Sequence, residues 1–306
     1  MTKRIALLGT ITHDTISRES GISYEGVGGV LYQAAVLCGL GKDVSLYTNL
    51  GVELIPQVKK IVRGWTHLHQ EGIQQVDGPG NQVELHYPEE GERVEILKSV
   101  VPPLSAARLI KDLLECGMLV LILNSGFDVE LRDWQQIKQA VSCPVWIDIH
   151  SLVLAQKLQE PRKYVSFTEW EQWVEGVDYL QANKQEVASM LGFPHTLPDE
   201  EEISCFGKRA LELGVKAVFM TLGQEGGIVM TPEESRRMAS SRAERLVDTT
   251  GCGDVFCGAT VSKLLDGDDS FSAASFGLEL ATEAVSLRGI EETYFLAERH
   301  RERDRP

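Results

Sequence analysis

The chain has 306 residues, of which 43% are hydrophobic and 25% charged, and its formal net charge is −15. Contacts to nucleic-acid phosphates need clustered Lys and Arg, so this charge argues against broad nucleic-acid binding. The longest apolar run, residues 118–123, is too short to cross a bilayer. We therefore expect an ordinary soluble globule with neither a nucleic-acid nor a membrane partner.

Other features of the chain favour a cytoplasmic protein. Residues 1–9 predict a first strand, because the apolar run after the basic residues lacks the length of a signal peptide. The six cysteines form no Cys-x-x-Cys pair and have no His partners at zinc-finger spacing, so we expect reduced, buried thiols. The Arg-rich residues 299–305 are interrupted by acidic residues and predict a solvated tail.

Strand-like and helix-like segments alternate along most of the chain. The predicted strands are residues 5–9, 44–48, 119–124, 145–149, 179–182, 217–221 and 227–230. The predicted helices are residues 31–40, 106–115, 134–140 and 201–213, and the acidic cluster at 198–202 suits the start of the last one. Strands separated by helices indicate an α/β fold with a mostly parallel sheet covered on both faces.

One region, residues 74–101, breaks this alternation. Two segments of alternating polarity, residues 82–87 and 93–97, surround a polar turn at 88–92 and predict a β-hairpin. In a sheet-and-helix enzyme such a hairpin is a candidate lid, and a surface hairpin without function is the alternative. A hairpin has exposed edges that often pair across a two-fold axis, which predicts a homodimer through the lid.

The most informative motif is Asp-Thr-Thr-Gly-Cys-Gly-Asp at residues 248–254, followed by an apolar, helix-compatible run. Its geometry would direct the backbone N–H groups of Gly251, Cys252 and Gly253 toward one point, where a helix N-terminus favours negative charge. Asp254 in the first helical turn would repel a bound anion, but it is explained if it takes a proton from a nucleophile that attacks a phosphoryl group. A Gly-rich turn with a capping Asp is the alternative.

The longer string Asp-Thr-x-Gly-x-Gly-Asp-x-Phe resembles the C-terminal signature of the ribokinase-like (PfkB) family of sugar and nucleoside kinases. The resemblance implies a three-layer α/β/α fold with a small β lid, Asp254 as the general base and the 251–253 amides as the anion hole. It also implies that Asp248 and Thr249 lie at the nucleotide. Cys252 replaces the family's usual Ala, and we do not interpret it as a nucleophile.

Two N-terminal motifs extend the resemblance on the acceptor side. Asp14, five positions after a Gly that ends the first predicted strand, is similar to the family's Asp that hydrogen-bonds substrate hydroxyls, although a turn or helix cap explains it equally. Gly28 and Gly29 precede a helix, as in the family's first signature, and could serve as a lid hinge and admit the substrate; an ordinary Gly-rich loop is the alternative. Gln33 replaces the family's Asn and, with the bulky Tyr32, implies that the acceptor is not bound as ribose is.

Two further motifs extend it on the nucleotide side. Asn183 and Glu186 match the family's Asn-x-x-Glu, whose Asn approaches the phosphates and whose Glu orients Mg²⁺, often through water; a capping box uses the same residues. The turn with Thr221, Gly223 and Gly226 resembles the family's turn under the nucleotide, and a tight β-turn needs the same glycines. Asp148 and His150, at the end of the predicted strand 145–149, are further pocket candidates.

The sequence therefore predicts a single kinase domain, residues 1–306, with a β lid inserted at about 74–101 that strands near 14–27 could join. We expect transfer of a phosphoryl group from ATP to a hydroxyl of a small sugar or polyol, with Mg²⁺ and an optional monovalent cation. A nucleoside kinase of the same family is one alternative. A non-catalytic nucleotide or sugar sensor is the other, although a sensor would not need Asp254.

Overall fold

Strands and helices alternate along the residues that the computed structural model describes, which are 4–19, 21, 23–88, 94–241 and 245–303. The strands are β1 Ile5–Leu8, β2 Ile11–Arg18, β3 Ser23–Gly29, β4 Val44–Gly51, β5 Leu68–His69, β6 Ile73–Val76, β7 Asn81–Tyr87, β8 Val94–Ser99, β9 Met118–Ile122, β10 Val145–Asp148, β11 Tyr179–Asn183, β12 Ala217–Thr221, β13 Gly227–Met230 and β14 Ser235–Met238. The α-helices are α1 Leu31–Gly39, α2 Ile55–Ile61, α3 Ala106–Leu113, α4 Leu131–Ala140, α5 Trp170–Val174, α6 Lys184–Met190, α7 Glu200–Glu212, α8 Cys252–Asp266, α9 Ser270–Ala284 and α10 Gly289–Arg303.

The main sheet is mostly parallel. Its strands lie in the order β14-β13-β12-β11-β10-β9-β1-β4-β5, and β6 also pairs with β4. Only β13 and β14, at one edge, run antiparallel to their neighbours among these described strands. The predicted α/β fold with a mostly parallel central sheet is confirmed.

Alternating side chains of the strands build two separate cores, one on each face of the sheet. On β9, Leu119 and Leu121 pack with residues of α3 to α7, whereas Val120 and Ile122 pack with residues of α1, α2 and α8 to α10. Successive side chains of a strand point to opposite faces, so a strand covered on both faces is a continuous apolar run. This explains why the central strands stand out in the sequence.

The carboxyl ends of three neighbouring strands bring polar residues to one edge of the sheet. The strands β10, β11 and β12 are parallel neighbours and end at Asp148, Asn183 and Thr221. Ligands of open α/β sheets bind outside this edge.

A second sheet has four strands in the order β3-β2-β7-β8, so residues 11–18 and 23–29 join the predicted hairpin. Asp14 lies within β2 and pairs with Val83 of β7, rather than in a loop beyond the first strand. The hairpin part of the small sheet begins at Asn81 and not at residue 74, because residues 73–76 pair with β4 in the main sheet. Residues 89–93, which hold most of the predicted polar turn, lie outside the described residues.

The outer edge of β8 is covered by another part of the chain. The backbone N–H groups of Gln159 and Arg162 donate to the carbonyls of Leu97 and Glu95, both at 2.8 Å. The Arg162 guanidinium also pairs with the Glu95 carboxylate at 3.1 Å, and both side chains are buried. The expectation of exposed lid edges is therefore wrong for β8, and a dimer through this sheet would have to use β3.

Helices α7 and α10 test two smaller expectations. Asp199 caps α7 and forms a capping box with Glu202, as the acidic cluster predicts. Residues 299–303 belong to α10 and not to a solvated tail, while residues 304 and 305 lie outside the described part of the chain. No helix among the described residues combines the length and apolar character needed to span a membrane.

Candidate active site

A left-handed glycine begins the turn that leads into α8. Gly251 has φ 79°, and a Cβ at this position would lie 2.8 Å from the ring of Tyr32. Both the backbone angle and the ring therefore require glycine here. The N–H of Cys252 is already bonded to the carbonyl of Thr249 at 3.3 Å, so it is the least available of the three predicted anion-hole amides.

Asp254 lies in the first turn of α8 and is 8% exposed. Its Oδ1 accepts a hydrogen bond of 2.5 Å from Nε2 of Gln33. On the other side of the turn, Nε2 of Gln181 donates to the carbonyl oxygen of Gly253 at 3.0 Å. Two glutamines from different elements thus contact adjacent residues of this turn.

A cavity of about 660 Å³ opens at the carboxyl edge of the sheet and includes this turn. Its lining contains the predicted residues Asn183, Glu186, Thr221, Gly223, Gly226, Thr249, Gly251, Cys252, Gly253 and Asp254, and also Asp148 and His150. An apolar part of the wall is formed by Leu246, Phe256, Leu278, Ala281 and Val285. The cavity therefore combines polar groups near Asp254 with an apolar wall, as small-molecule sites commonly do.

Asn183 and Glu186 form a capping box at the start of α6 and also face the cavity. The Asn183 N–H and Nδ2 donate to the two Glu186 carboxylate oxygens at 2.8 and 2.6 Å, and the Glu186 N–H donates to Asn183 Oδ1 at 2.9 Å. The capping box, which was the alternative explanation of this motif, is thus present in the fold. These bonds fix the Glu186 carboxylate at the cavity wall, so capping and ligand contact are compatible.

The two glycines of the turn between β12 and β13 differ in the space around them. Gly226 has φ 90°, and a Cβ on it would overlap the carbonyl oxygen of Met238. Gly223 also has a positive φ, 60°, but no protein atom lies within 4 Å of its Cβ position. Gly226 is therefore required by the fold, whereas Gly223 leaves open space beside the cavity.

The four predicted acceptor residues lie beside the cavity and not in its lining. Asp14 in β2 packs against Gly28 so closely that a Cβ on Gly28 would overlap its carboxylate. Gly29 has φ 65° and leads into α1, which carries Gln33. The structure thus groups Asp14, Gly28 and Gly29 on the small sheet, and it joins Gln33 to Asp254.

Asp248 is also outside the cavity lining, because the small sheet surrounds it. Its carboxylate accepts hydrogen bonds from the Tyr24 hydroxyl and, at 3.0 Å, from the Thr250 N–H. The Arg18 guanidinium lies 3.6 Å away. In this conformation Asp248 joins the small sheet to the loop before α8.

Carboxylates dominate the charge of the cavity. Burial raises the pKa of Asp148 well above its ordinary value, and the negative charges of Glu186 and Asp254 raise it further. Oxygen ligands of this kind suit a hard cation such as Mg²⁺, which would offset the repulsion between these groups and a polyphosphate. The donor set therefore fits the expected magnesium nucleotide.

Cys252 has the properties of a structural thiol. Burial, followed by the charges of Asp248 and Asp254, raises its pKa to about 12. A thiol that stays protonated at neutral pH is a poor nucleophile. This agrees with the sequence interpretation of Cys252 as a substitute for a small residue.

Sequence reasoning missed Gln181, Tyr24 and Tyr87. Gln181 is a polar residue within the apolar strand β11, two positions before Asn183, and this break in the apolar run is the signal that could have identified it. Tyr24 and Tyr87 touch Asp248 and Thr250 from the small sheet. They carry no local signal, because their partners are more than 160 residues away in the chain: the separations are 224 and 163 residues.

Part of the chain is similar in sequence to known kinases. Residues 152–294 match the model of the pfkB family carbohydrate kinase. Ribokinase of Staphylococcus aureus (strain COL) is 28% identical over 123 residues, which span 40% of this chain and 40% of that protein. An ATP-dependent 6-phosphofructokinase of Thermoanaerobacterium thermosaccharolyticum is 36% identical over 129 residues, which span 40% of this chain and 38% of that protein. The chain thus matches less than half the length of these relatives.

The fold likeness covers nearly the whole chain. The structure of a Burkholderia thailandensis nucleoside kinase in complex with inosine has a TM-score of 0.78 and 18% identity, over 98% of this chain and 96% of that chain. At this identity the likeness shows the fold alone. The sequence match makes residues 152–294, which contain the cavity motifs from Asn183 to Asp254, similar to pfkB family carbohydrate kinases, and the described chain shares its fold with the nucleoside kinase.

Proposed function

We propose that the protein is a kinase that transfers a phosphoryl group from ATP to a hydroxyl of a small sugar or polyol. The observation that carries this proposal is Asp254 in the first turn of α8, beside Gly253, at the wall of a large cavity. A carboxylate there is unfavourable for binding phosphates alone, so a role in proton transfer explains it best. The chain would form a single kinase domain, in which the main sheet holds the nucleotide and the small sheet is the lid.

Each residue has a distinct part in this proposal. Asp254 accepts the hydroxyl proton of the acceptor, and the N–H groups of the turn stabilise negative charge on the transferring group. Asn183 would approach the nucleotide phosphates, and Glu186 would hold Mg²⁺ through water; the ion, when bound, would neutralise phosphate charge. A carboxylate at a helix N-terminus is a weak base, but a loose transition state requires removal of the proton only late.

The small sheet supplies the remaining requirement, exclusion of water. Water at the same position would hydrolyse ATP, so closure over the acceptor favours transfer to the correct hydroxyl. Asp14, Gly28 and Gly29 lie on this sheet and are the proposed acceptor contacts, while Thr221, Gly223, Gly226 and Thr249 are the proposed nucleotide contacts. Asp248, which the sequence places at the nucleotide, would instead act by docking the sheet.

An ADP-release assay with Mg·ATP tests the proposal. The acceptor panel contains ribose, other sugars, polyols, fructose 6-phosphate and inosine, and each is assayed with and without K⁺ to test the monovalent cation. Release of ADP that depends on one acceptor class supports a kinase and identifies the class; preference for inosine favours the nucleoside kinase. Tight binding of Mg·ATP without acceptor-dependent ADP release would favour a nucleotide sensor and contradict catalysis.

A further inference from the structure

The buried hydrogen bond between Gln33 and Asp254 departs from the acceptor contact that the sequence predicts for Gln33. The Gln33 side chain is 0% exposed, and its Nε2 lies 2.5 Å from Asp254 Oδ1. A carboxylate oxygen can only accept from an amide, so the NH₂ end of Gln33 must face Asp254. The donor end of this side chain is therefore already directed at the proposed base.

Close packing of two helices sets this geometry. Gly258 lies one helical turn after Asp254 in α8, and a Cβ on Gly258 would lie 2.9 Å from Cβ of Val36 and 3.2 Å from the carbonyl oxygen of Gln33. The absence of a side chain lets α1 approach α8 at this point. Because residues four apart share a helix face, the same approach brings Gln33 to Asp254.

The other end of the Gln33 amide accepts no hydrogen bond from the part of the chain that the structure describes. Gln33 Oε1 is buried and unpartnered among the described residues. A buried acceptor without a donor destabilises a fold, and an apolar side chain of the same length would avoid this effect. The bond to Asp254 accounts for an amide at this position, whereas packing alone does not.

We propose that Gln33 is a positioning residue that acts through Asp254. Its amide holds one carboxylate oxygen in place, so that the carboxylate meets the acceptor hydroxyl in a reactive orientation. This inference rests on the proposed function, because it gives Gln33 a role only if Asp254 is the base. It differs from the family resemblance, which would make Gln33 a contact to the acceptor itself.

A double-mutant cycle tests the proposal. Gln33→Met keeps an unbranched side chain but removes the donor, and Gln33→Asn keeps the donor but shortens its reach. Each is made alone and with Asp254→Asn, and kcat and both KM values are measured with the best acceptor of the panel. Gln156→Met is the matched control, because the Gln156 side-chain amide also donates one hydrogen bond, to the carbonyl oxygen of Gly126, and Gln156 does not line the cavity.

We expect Gln33→Met to lower kcat by about 10- to 100-fold, the range for loss of a hydrogen bond to a charged group, with both KM values changed less than about twofold. In the Asp254→Asn background the same substitution should have almost no further effect, because groups that act as a unit are not additive. Mg·ADP affinity, measured by titration calorimetry, should not be changed by either Gln33 substitution, whether Asp254 is present or replaced by Asn.

Three results would overturn the proposal. A raised acceptor KM with normal kcat would make Gln33 a direct acceptor contact. The same conclusion would follow if Gln33→Met lowered kcat as much in the Asp254→Asn background as it does alone. A normal kcat for both Gln33 variants would show that the bond has no role in turnover. If Gln33→Met does not fold, Gln33→Asn carries the test, and its melting temperature separates a folding defect from a rate defect. Absence of acceptor-dependent ADP release in the unmodified protein contradicts the proposed function itself and removes the base that Gln33 would position.

Discussion

The hydroxyl oxygens of Tyr87 and Thr250 lie 2.7 Å apart and share a hydrogen bond that joins the small sheet to the loop before α8. The Arg18 guanidinium lies 5.0 Å from the centre of the Tyr87 ring and contacts Asp248 in the same loop. The loop that leads to the proposed anion-binding turn is thus docked on the sheet proposed as a lid. Closure of the lid and geometry of the turn should therefore be coupled.

Replacement of Tyr87 by Phe tests this coupling. The ring under Arg18 remains, and only the hydroxyl bond to Thr250 is lost, which typically contributes about 0.5–1.5 kcal/mol. We expect the acceptor KM to rise about 2- to 10-fold and acceptor-independent ATP hydrolysis to increase, measured by steady-state ADP release. Tyr294→Phe is the control, because the Tyr294 ring stacks on Trp65. It should change neither the acceptor KM nor the rate of acceptor-independent ATP hydrolysis. Unchanged kinetics in Tyr87→Phe would mean that this bond does not contribute to closure.

Replacement of Asp254 by Asn separates a base from a structural residue; the alternative of a capping Asp is wrong, because the N-cap of α8 is Gly251. Loss of a general base should lower kcat by roughly 10²–10⁴, while nucleotide binding persists or tightens because a negative charge beside the phosphates is removed. An Asp254 with only a structural role would tolerate Asn, because Asn keeps the size of the side chain and an oxygen that can accept the hydrogen bond from Gln33. Turnover near that of the unmodified protein in the ADP-release assay would return Asp254 to a structural role.

Alanine at Gly253 should affect the site without affecting the fold. The nearest protein atom to its Cβ position is Nε2 of Gln181 at 3.8 Å, so the methyl group meets no clash. Alanine in a helix is also up to about 1 kcal/mol more favourable than glycine. We expect an unchanged or higher melting temperature together with a lower kcat, because the methyl group enters the proposed phosphoryl position. A fully active Gly253→Ala protein would place the phosphoryl group elsewhere.

Alanine at Gly258 should affect the fold and the site together. Its Cβ would lie 2.9 Å from Cβ of the buried Val36, which cannot move as a flexible side chain would. Overpacking of this kind costs about 1–3 kcal/mol, and displacement of α1 would also lengthen the bond from Gln33 to Asp254. We expect urea unfolding to show the loss of stability and the assay to show a lower kcat. A destabilised protein with normal kcat would separate helix packing from positioning of Asp254.

The carboxyl of Asp148 should make stability depend on pH. Its pKa is raised by burial and by Glu186 and Asp254, so the folded state keeps a proton that the unfolded chain releases above about pH 4. Stability should therefore fall as pH rises from about 4 through the folded-state pKa, by up to about 1.4 kcal/mol for each pH unit. Asp148→Asn removes the carboxyl and therefore this loss of stability. The free energy of unfolding of the variant, measured with urea and without Mg²⁺, should exceed that of the unmodified protein by more at about pH 8 than at about pH 5.

Asp269 provides the matched control for this measurement. Hydrogen bonds from Ser272 lower its pKa, so its carboxyl is ionised at both pH values in either state. Asp269→Asn should consequently give the same change in unfolding free energy at both. A gain for Asp148→Asn that is equal at both pH values would show that Asp148 is ionised in the folded protein throughout this range.

Several features could be predicted because their causes are local. The central strands are apolar runs buried on both faces, and the helix starts at Asn183 and Asp199 depend on capping side chains three residues from their partners. The small sheet was predicted only in part. Its hairpin alternates in polarity, but β2 and β3 are far away in the chain and join it by long-range pairing.

The sequence by itself determined the α/β architecture, the Gly-rich turn at residues 251–253 and the position of Asp254 in the first turn of a helix, because turn residues and side-chain periodicity are properties of neighbouring residues. Only the tertiary structure decided what surrounds that carboxylate. Gln33 reaches Asp254 across 221 residues of chain because Gly258 lets two helices meet, and no local pattern encodes that contact. The covered edge of β8 and the docking of Asp248 against Tyr24 have the same origin, since the groups that satisfy a strand edge or a buried carboxylate are selected by packing and not by sequence distance.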